Sequence, residues 1–119
     1  MIRSLGMIKK ACAMANHECG HLDDERTGYI IAACDEIIQG KLDCWFITDV
    51  IQGGAGTSTN MNANEVVANR AAQLAGKALG VYDYIHPNDH VNFGQSTNDV
   101  FPTAGKLTAL FLVEDLSLI

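Results

Sequence analysis

The sequence predicts an all-α fold. Apolar residues recur at helical spacing in four separate stretches, acidic or amide residues and glycines stand at several of their starts and stops, and only the short run 44–51 has strand character. Two connections between these stretches are crowded with small hydroxyl and amide side chains, where an ordinary globular chain would place simple turns.

Ile2, Leu5, Ile8, Cys12 and Ala15 share one face of a helix covering roughly the first sixteen residues, with Lys9 and Lys10 expected outside. A polar connector follows. Asp23, Asp24 and Glu25 then supply negative charge at the start of a second helix, Ile30, Ile31, Cys34, Ile37 and Ile38 form its stripe, and Gly40 stops it. Residues 44–51 include Trp45, Phe46, Ile47, Val50 and Ile51 and read either as a strand or as buried irregular chain, a choice periodicity does not make. Asn62 and Glu65 have the spacing of a capping box, opening a third helix with Val67, Ala71, Leu74, Ala75 and Ala78 on one face and Gly80 at its end. A fourth helix begins near Thr97 or Asn98, accommodates Pro102 in its opening turns and carries Leu107, Leu110 and Phe111 toward the core. No stop signal follows Leu116, Leu118 and Ile119 and no capping residue precedes Met1, so the sequence is expected to be a piece of a longer chain, cut within its last helix.

The 119 residues are enough for one domain, and 48% hydrophobic with 18% charged residues is ordinary for a soluble globular chain. No apolar run approaches the roughly 18 residues of a membrane span, and no signal-peptide core stands at the N-terminus, so a cytoplasmic location without membrane contact is expected. A formal net charge of −6 with eight Lys and Arg residues argues against nucleic acid as a partner, because no basic stripe forms. Cys12, Cys19, Cys34 and Cys44 lack CxxC pairing and read as free thiols. His17 and His21 lie four apart with Cys19 between them, but the segment is polar, near a helix end and without a fourth ligand, so no metal is expected.

The first loop runs Gly53-Gly54-Ala55-Gly56-Thr57-Ser58-Thr59-Asn60-Met61-Asn62, and the second runs from His86-Pro87-Asn88-Asp89-His90-Val91-Asn92 through Phe93-Gly94-Gln95-Ser96-Thr97-Asn98-Asp99. Each delivers Thr, Ser and Asn side chains to a helix N-terminus, where unpaired N–H groups and the helix dipole favour an anion. Singly, each loop reads as capping and turn chemistry. Together they have the means to grip both ends of a small dicarboxylate. The first loop has no Lys ahead of its Ser or Thr, as a Walker loop requires, and no G-x-G-x-x-G, so a nucleotide site is not indicated. His86 and His90 beside Asp89 invite an acid–base reading, while no Ser-His-Asp or Cys-His nucleophile set is assignable.

Gly54-Ala55-Gly56-Thr57-Ser58 through Asn60-Met61-Asn62-Ala63-Asn64-Glu65, and Pro87-Asn88-Asp89-His90-Val91-Asn92 through Gln95-Ser96-Thr97-Asn98-Asp99, closely resemble the two N-terminal substrate loops of the aspartase/fumarase superfamily. The resemblance is sharp from Asp49 to Ala104 and looser over residues 1–48. It leans to the aspartase (aspartate ammonia-lyase) branch. Fumarases usually carry Thr-Gly-Ser-Gly-Thr-Gln at the first loop, a double serine at the second, and Asn-Asp-Asp where this chain has Asn88-Asp89-His90.

The resemblance implies conversion of L-aspartate to fumarate and ammonia through an aci-carboxylate carbanion. The alternatives are a class II fumarate hydratase using the same carbanion chemistry and a non-catalytic helical assembly module. It implies that Thr57, Ser96 and Thr97 hold the β-carboxylate with Asn98 near the amino group, that Ser58 and Asn60 support the loop, and that His86 belongs to a secondary anion site. It calls for no cofactor, for L-aspartate or fumarate as the small-molecule partner, and for a homotetramer. Residues 1–98 correspond to the C-terminal part of the N-terminal helical domain and 99–119 to the start of the first central-bundle helix. The family's serine loop that supplies the general base, the Lys and Asn after it, and its Thr-His segment have no counterpart before Ile119. The segment is therefore expected to contribute binding residues, with no general base, and to be inactive alone.

Overall fold

The structure is a computed structural model that describes residues 1–117. Four helices, α1 (Ile2–Glu18), α2 (Asp24–Ile38), α3 (Thr57–Leu74) and α4 (Thr97–Ser117), are joined by irregular chain with a 3-10 turn at Asp43–Trp45 and a π turn at Pro87–Val91. Among the described residues there is no strand, as the sequence predicts, and no helix is long and apolar enough to cross a membrane. Leu118 and Ile119, named in the expectation about the chain's end, lie outside the described residues.

The helix that runs through the middle of the packing is α1, which touches α2, α3, α4 and the π turn. Its close approach to α2 depends on Gly6, where an added Cβ would stand 2.9 Å from Ile37 Cγ2. The buried row on α1 is Leu5, Lys9 and Ala13, spaced at i, i+4 and i+8, with Ser4 and Gly6 beside it. Lys9 is thus inside, 1% exposed, contrary to the expectation that it faces solvent. Helical spacing put it on the same row as Leu5, and the amide acceptors it needs arrive from a loop more than eighty residues away.

Asp23 caps α2 by accepting from Arg26 N at 2.9 Å, and Asp24 and Glu25 fill its first turn, as read from the sequence. A bidentate pair from Arg70 Nε and Nη2 to Glu36, at 2.6 and 2.8 Å, fastens α3 to α2, and that guanidinium holds the Glu36 carboxyl below its ordinary range. The main core joins Ile30, Cys34 and Ile37 of α2 to Val67, Ala68 and Ala71 of α3, with Ile85 and Val91 closing it from the second loop. A smaller cluster of Leu5, Ala63, Val100 and Ala104 docks the first turns of α4.

Three boundaries differ from expectation. Residues 44–51 form neither a strand nor buried chain; after the 3-10 turn they run irregularly over the surface, with Val50 95% and Ile51 85% exposed. The third helix starts at Thr57, five residues before Asn62, because left-handed Gly56 breaks the chain there. Asn62 does not cap it. Its amide turns outward, accepting from Ile47 N and Thr48 N and donating to Trp45 O at 2.9 Å, which pins the surface segment. The same helix ends at Leu74, not at Gly80, where Gly76 N and Lys77 N close back on Gln73 O and Ala72 O. Leu74 and Ala78 are consequently exposed.

The start of α4 at Thr97 and the tolerance of Pro102 agree with the sequence. The core face of this helix is Val100 and Ala104, however, and Leu110, expected inside, is 61% exposed. Ser4 and Thr108 share a 2.7 Å hydrogen bond, and Arg3 lies over the Phe111 ring, so α1 accompanies α4 only along one side.

Candidate functional site

Two helix starts define the site. Ahead of α3, Gly56 takes φ 81°, and a Cβ there would meet the Phe101 ring at 2.5 Å, so only glycine lets the first loop press against α4. Gly56 offers no side-chain cap, and among the first-turn amides Thr59 N finds Gln52 Oε1 at 3.2 Å. Ahead of α4, Ser96 Oγ accepts from Asn98 N at 3.2 Å. Thr57, Ser96 and Asn98 are exposed and Thr97 is half-buried around this junction.

The two loops meet through Asn60, which reaches two residues of the second loop. Asn60, fully buried in the first turn of α3, donates from Nδ2 to Thr97 Oγ1 at 2.9 Å. The same Nδ2 lies 3.2 Å from Asn92 Oδ1, which also accepts from Asn64 Nδ2 at 3.1 Å and from Lys9 Nζ at 2.9 Å. Lys9 Nζ donates in addition to Gln95 Oε1 at 2.9 Å. Asn92 Nδ2 donates to Gln95 O at 3.2 Å and Gln95 Nε2 to Val91 O at 2.8 Å, which closes the second loop on itself. Burial pushes the Lys9 ammonium down from its ordinary 10.5 to about 8, against the opposing influence of the Cys12 and Cys34 thiols. At neutral pH it remains a cation surrounded by amide oxygens.

The predicted residues are distributed unequally. Thr97 and Asn60 are joined, with Thr57 and Ser96 at the adjoining helix starts. Ser58 lies on a different face of α3, lining an outer groove of about 630 Å³ with Trp45, Met61 and Asn62. His86 sits at the head of the π turn, where its Nδ1 accepts from Asn88 N and Asp89 N at 3.1 and 3.2 Å. An acceptor at Nδ1 leaves the ring proton on Nε2 and makes the 3.5 Å approach of the Asp89 carboxylate a poor hydrogen bond. His90 Nδ1 accepts from His86 N at 2.7 Å, and burial followed by the nearby Arg26 guanidinium pushes the His90 imidazolium below the ordinary histidine range. Both histidines therefore have a nitrogen committed to the backbone of the π turn. His17 pairs with Asp24 at 2.5 Å and His21 stacks on Phe93. Sequence reasoning missed Lys9, Asn64, Asn92 and Gln95 as members of the site. The row Leu5, Lys9, Ala13 was the available signal for the first, and the amide density of the loops was the signal for the others.

A protein family described as lyase matches residues 1–118. An aspartate ammonia-lyase of a Bacillus species is 57% identical over 116 residues, which are 98% of this chain and 25% of that protein. A class II fumarate hydratase of Halobacterium salinarum is 56% identical over 116 residues, 97% of this chain and 24% of that protein. The crystal structure of a fumarate lyase:delta crystallin from Brucella melitensis superimposes with a TM-score of 0.91 at 55% identity, covering 92% of this chain and 26% of that one. The chain spans about a quarter of the length of these relatives. With a family match along nearly its whole length and a superposition of that quality, the chain belongs to the lyase family of aspartases and class II fumarases.

Proposed function

We propose that this chain supplies the two carboxylate-gripping loops of an aspartate ammonia-lyase, which converts L-aspartate to fumarate and ammonia. The observation that carries the reading is the Asn60–Thr97 hydrogen bond, which makes one site of two loops distant in sequence. Removal of a proton beside the β-carboxylate leaves a carbanion whose charge flows into that carboxylate. Thr57, Ser96 and Thr97 donate to the resulting aci-carboxylate, and donors fixed in advance stabilise its added charge more than they stabilise substrate. Asn98 lies toward the amino group, Asn60 holds the first loop, and the Nε2–H of His86 serves a secondary anion site. No residue of this segment is assigned as the general base.

The same reading divides the chain near residue 98, with 99–119 opening a central bundle of a cytoplasmic homotetramer. The exposed Leu110, Leu112, Val113 and Leu116 on α4 support it, because such a face on a helix calls for a partner. A class II fumarate hydratase is the second reading, favoured by hydratase relatives of nearly the same identity as the ammonia-lyases. Turnover of L-aspartate and L-malate by a complete subunit that carries this segment, in its native assembly, separates them. Fumarate release from L-aspartate alone supports the ammonia-lyase, release from L-malate alone transfers the assignment to the hydratase, and assembly without turnover or fumarate binding favours a non-catalytic module.

A further inference from the structure

We infer that Lys9 is a positioning residue that sets the hydrogen-bond polarity of both loops, so that the Thr97 hydroxyl is left free to donate to a bound carboxylate. The inference deepens the proposed function and rests on it for the identity of the ligand.

An ammonium only donates, so the 2.9 Å contact of Lys9 Nζ fixes the oxygen of the Asn92 amide toward it. That oxygen only accepts. Asn60 and Asn64, at 3.2 and 3.1 Å from it, must therefore both present their NH2 groups. The remaining hydrogen of the Asn60 NH2 then falls on Thr97 Oγ1 at 2.9 Å, and Thr97 makes no other side-chain hydrogen bond among the described residues. A hydroxyl that accepts from an amide keeps its own proton for another partner. Lys9, Asn60 and Asn64 thus all donate into the Asn92 oxygen, Asn60 donates its second hydrogen to Thr97, and the network ends on a free hydroxyl proton at the junction of the two loops.

The arrangement leaves two acceptors without a partner. Asn60 Oδ1 and Asn64 Oδ1 are buried without hydrogen bonds in the structure. Turning the Asn60 amide over would satisfy its oxygen with the Thr97 O–H, but would set that oxygen against Asn92 Oδ1, which Lys9 holds in place. A buried cation at Lys9 and unpaired buried oxygens both cost stability, and such costs gather where binding needs a fixed geometry. Without Lys9 the Asn92 amide orientation is held only by its 3.2 Å bond to Gln95 O, in a loop that has lost the same ammonium at Gln95 Oε1; Asn92 can then reverse, Asn60 can follow, and Thr97 turns its proton inward.

The test is Lys9→Met in the purified protein in its native assembly, read by titration with fumarate, thermal unfolding and a crystal structure of the variant. The expected result is fumarate affinity lower by about tenfold to a hundredfold, the loss of one hydrogen bond to a charged group, with a Tm that holds or rises. In the crystal structure the Asn60 and Asn92 amides are expected to be reassigned by their partners. A lower Tm with fumarate affinity unchanged would mean that Lys9 serves the fold alone and would overturn the inference. If the unmutated protein fails to bind fumarate, the ligand reading falls, and the crystal structure alone decides: reversed amides sustain the polarity claim and unchanged amides end it. Should Lys9→Met fail to fold, Lys9→Gln, which is neutral and can present either an amide hydrogen or an amide oxygen and so enforces no direction, carries the same measurements: weaker fumarate binding at an unchanged Tm supports the inference, and unchanged binding overturns it.

Discussion

The loop before α4 is held from beneath by Lys9, Asn92 and Gln95, whereas the loop before α3 follows a surface segment that leaves Val50 and Ile51 almost fully exposed. In the second loop, polar side chains reach inward and find a cation and amides. In the first, Asp49 Oδ1 accepts from Ile51 N, Gln52 Nε2 donates to Asp49 O, and Asn62 holds the backbone at Ile47 and Thr48, so the ties are local. One side of the site is therefore fixed in advance, which favours donors that need no reorganisation when charge develops. The other is anchored chiefly where Gly56 meets Phe101 and Asn60 meets Thr97. Segments with few buried contacts open at lower free energy than the core, so the difference predicts unequal local stability at the two helix starts.

The largest expected effect breaks the anchor of the first loop. Gly56→Ala adds a Cβ 2.5 Å from the Phe101 ring at a positive φ and is expected to destabilise by about 3–5 kcal/mol in denaturant unfolding. Gly54→Ala, also at positive φ but with nothing within 4 Å of its Cβ, is the control and should cost about 1 kcal/mol.

Next comes the buried lysine of the second loop. The folded-state Lys9 binds its proton less tightly than the unfolded chain, so its charge opposes folding fully below pH 8, and the penalty fades as pH rises from about 8 to 10.5. The shift corresponds to about 3 kcal/mol. Unfolding free energies of the protein and of Lys9→Met should accordingly converge by an amount of that order across this window. Taking the difference cancels the opposing effect of Cys34, whose thiol burial pushes up to about 12. A constant gap would show that the site does not hold the lysine out of water.

Thr97→Val tests the junction itself. It keeps the shape and removes the hydroxyl that accepts from Asn60, and is expected to weaken fumarate binding by about tenfold to a hundredfold. Ser58→Ala, on the groove side of α3, should change it by less than about twofold, within the range of surface substitutions. Smallest of all, Val50→Ser should move unfolding free energy by less than about 0.5 kcal/mol, because its side chain is already in water.

The helices were legible because periodicity and capping chemistry are local. Asp23 at the start of α2 and Thr97 at the start of α4 follow from residues within one turn of each boundary. Asn62 shows where that logic fails: Asn followed by Glu65 satisfies the capping pattern, yet a left-handed glycine six positions upstream starts the helix earlier and frees the amide for tertiary use. Lys9 shows the larger gap. A lysine among apolar residues reads as solvated because its acceptors, Asn92 and Gln95, are invisible until the chain has folded. Likewise the loops announced their chemistry through composition, but only the fold separates Asn60, turned inward to Thr97, from Ser58, turned away from it.

The central claim is that two loops, joined through Asn60 and Thr97, form one dicarboxylate site. Calorimetric titration of fumarate into the protein in its native assembly, alongside Thr97→Val, tests it most directly. The account predicts saturable binding by the protein and binding weaker by about tenfold or more in the variant. Equal affinity in the two, or no binding by the unmutated protein, would contradict it.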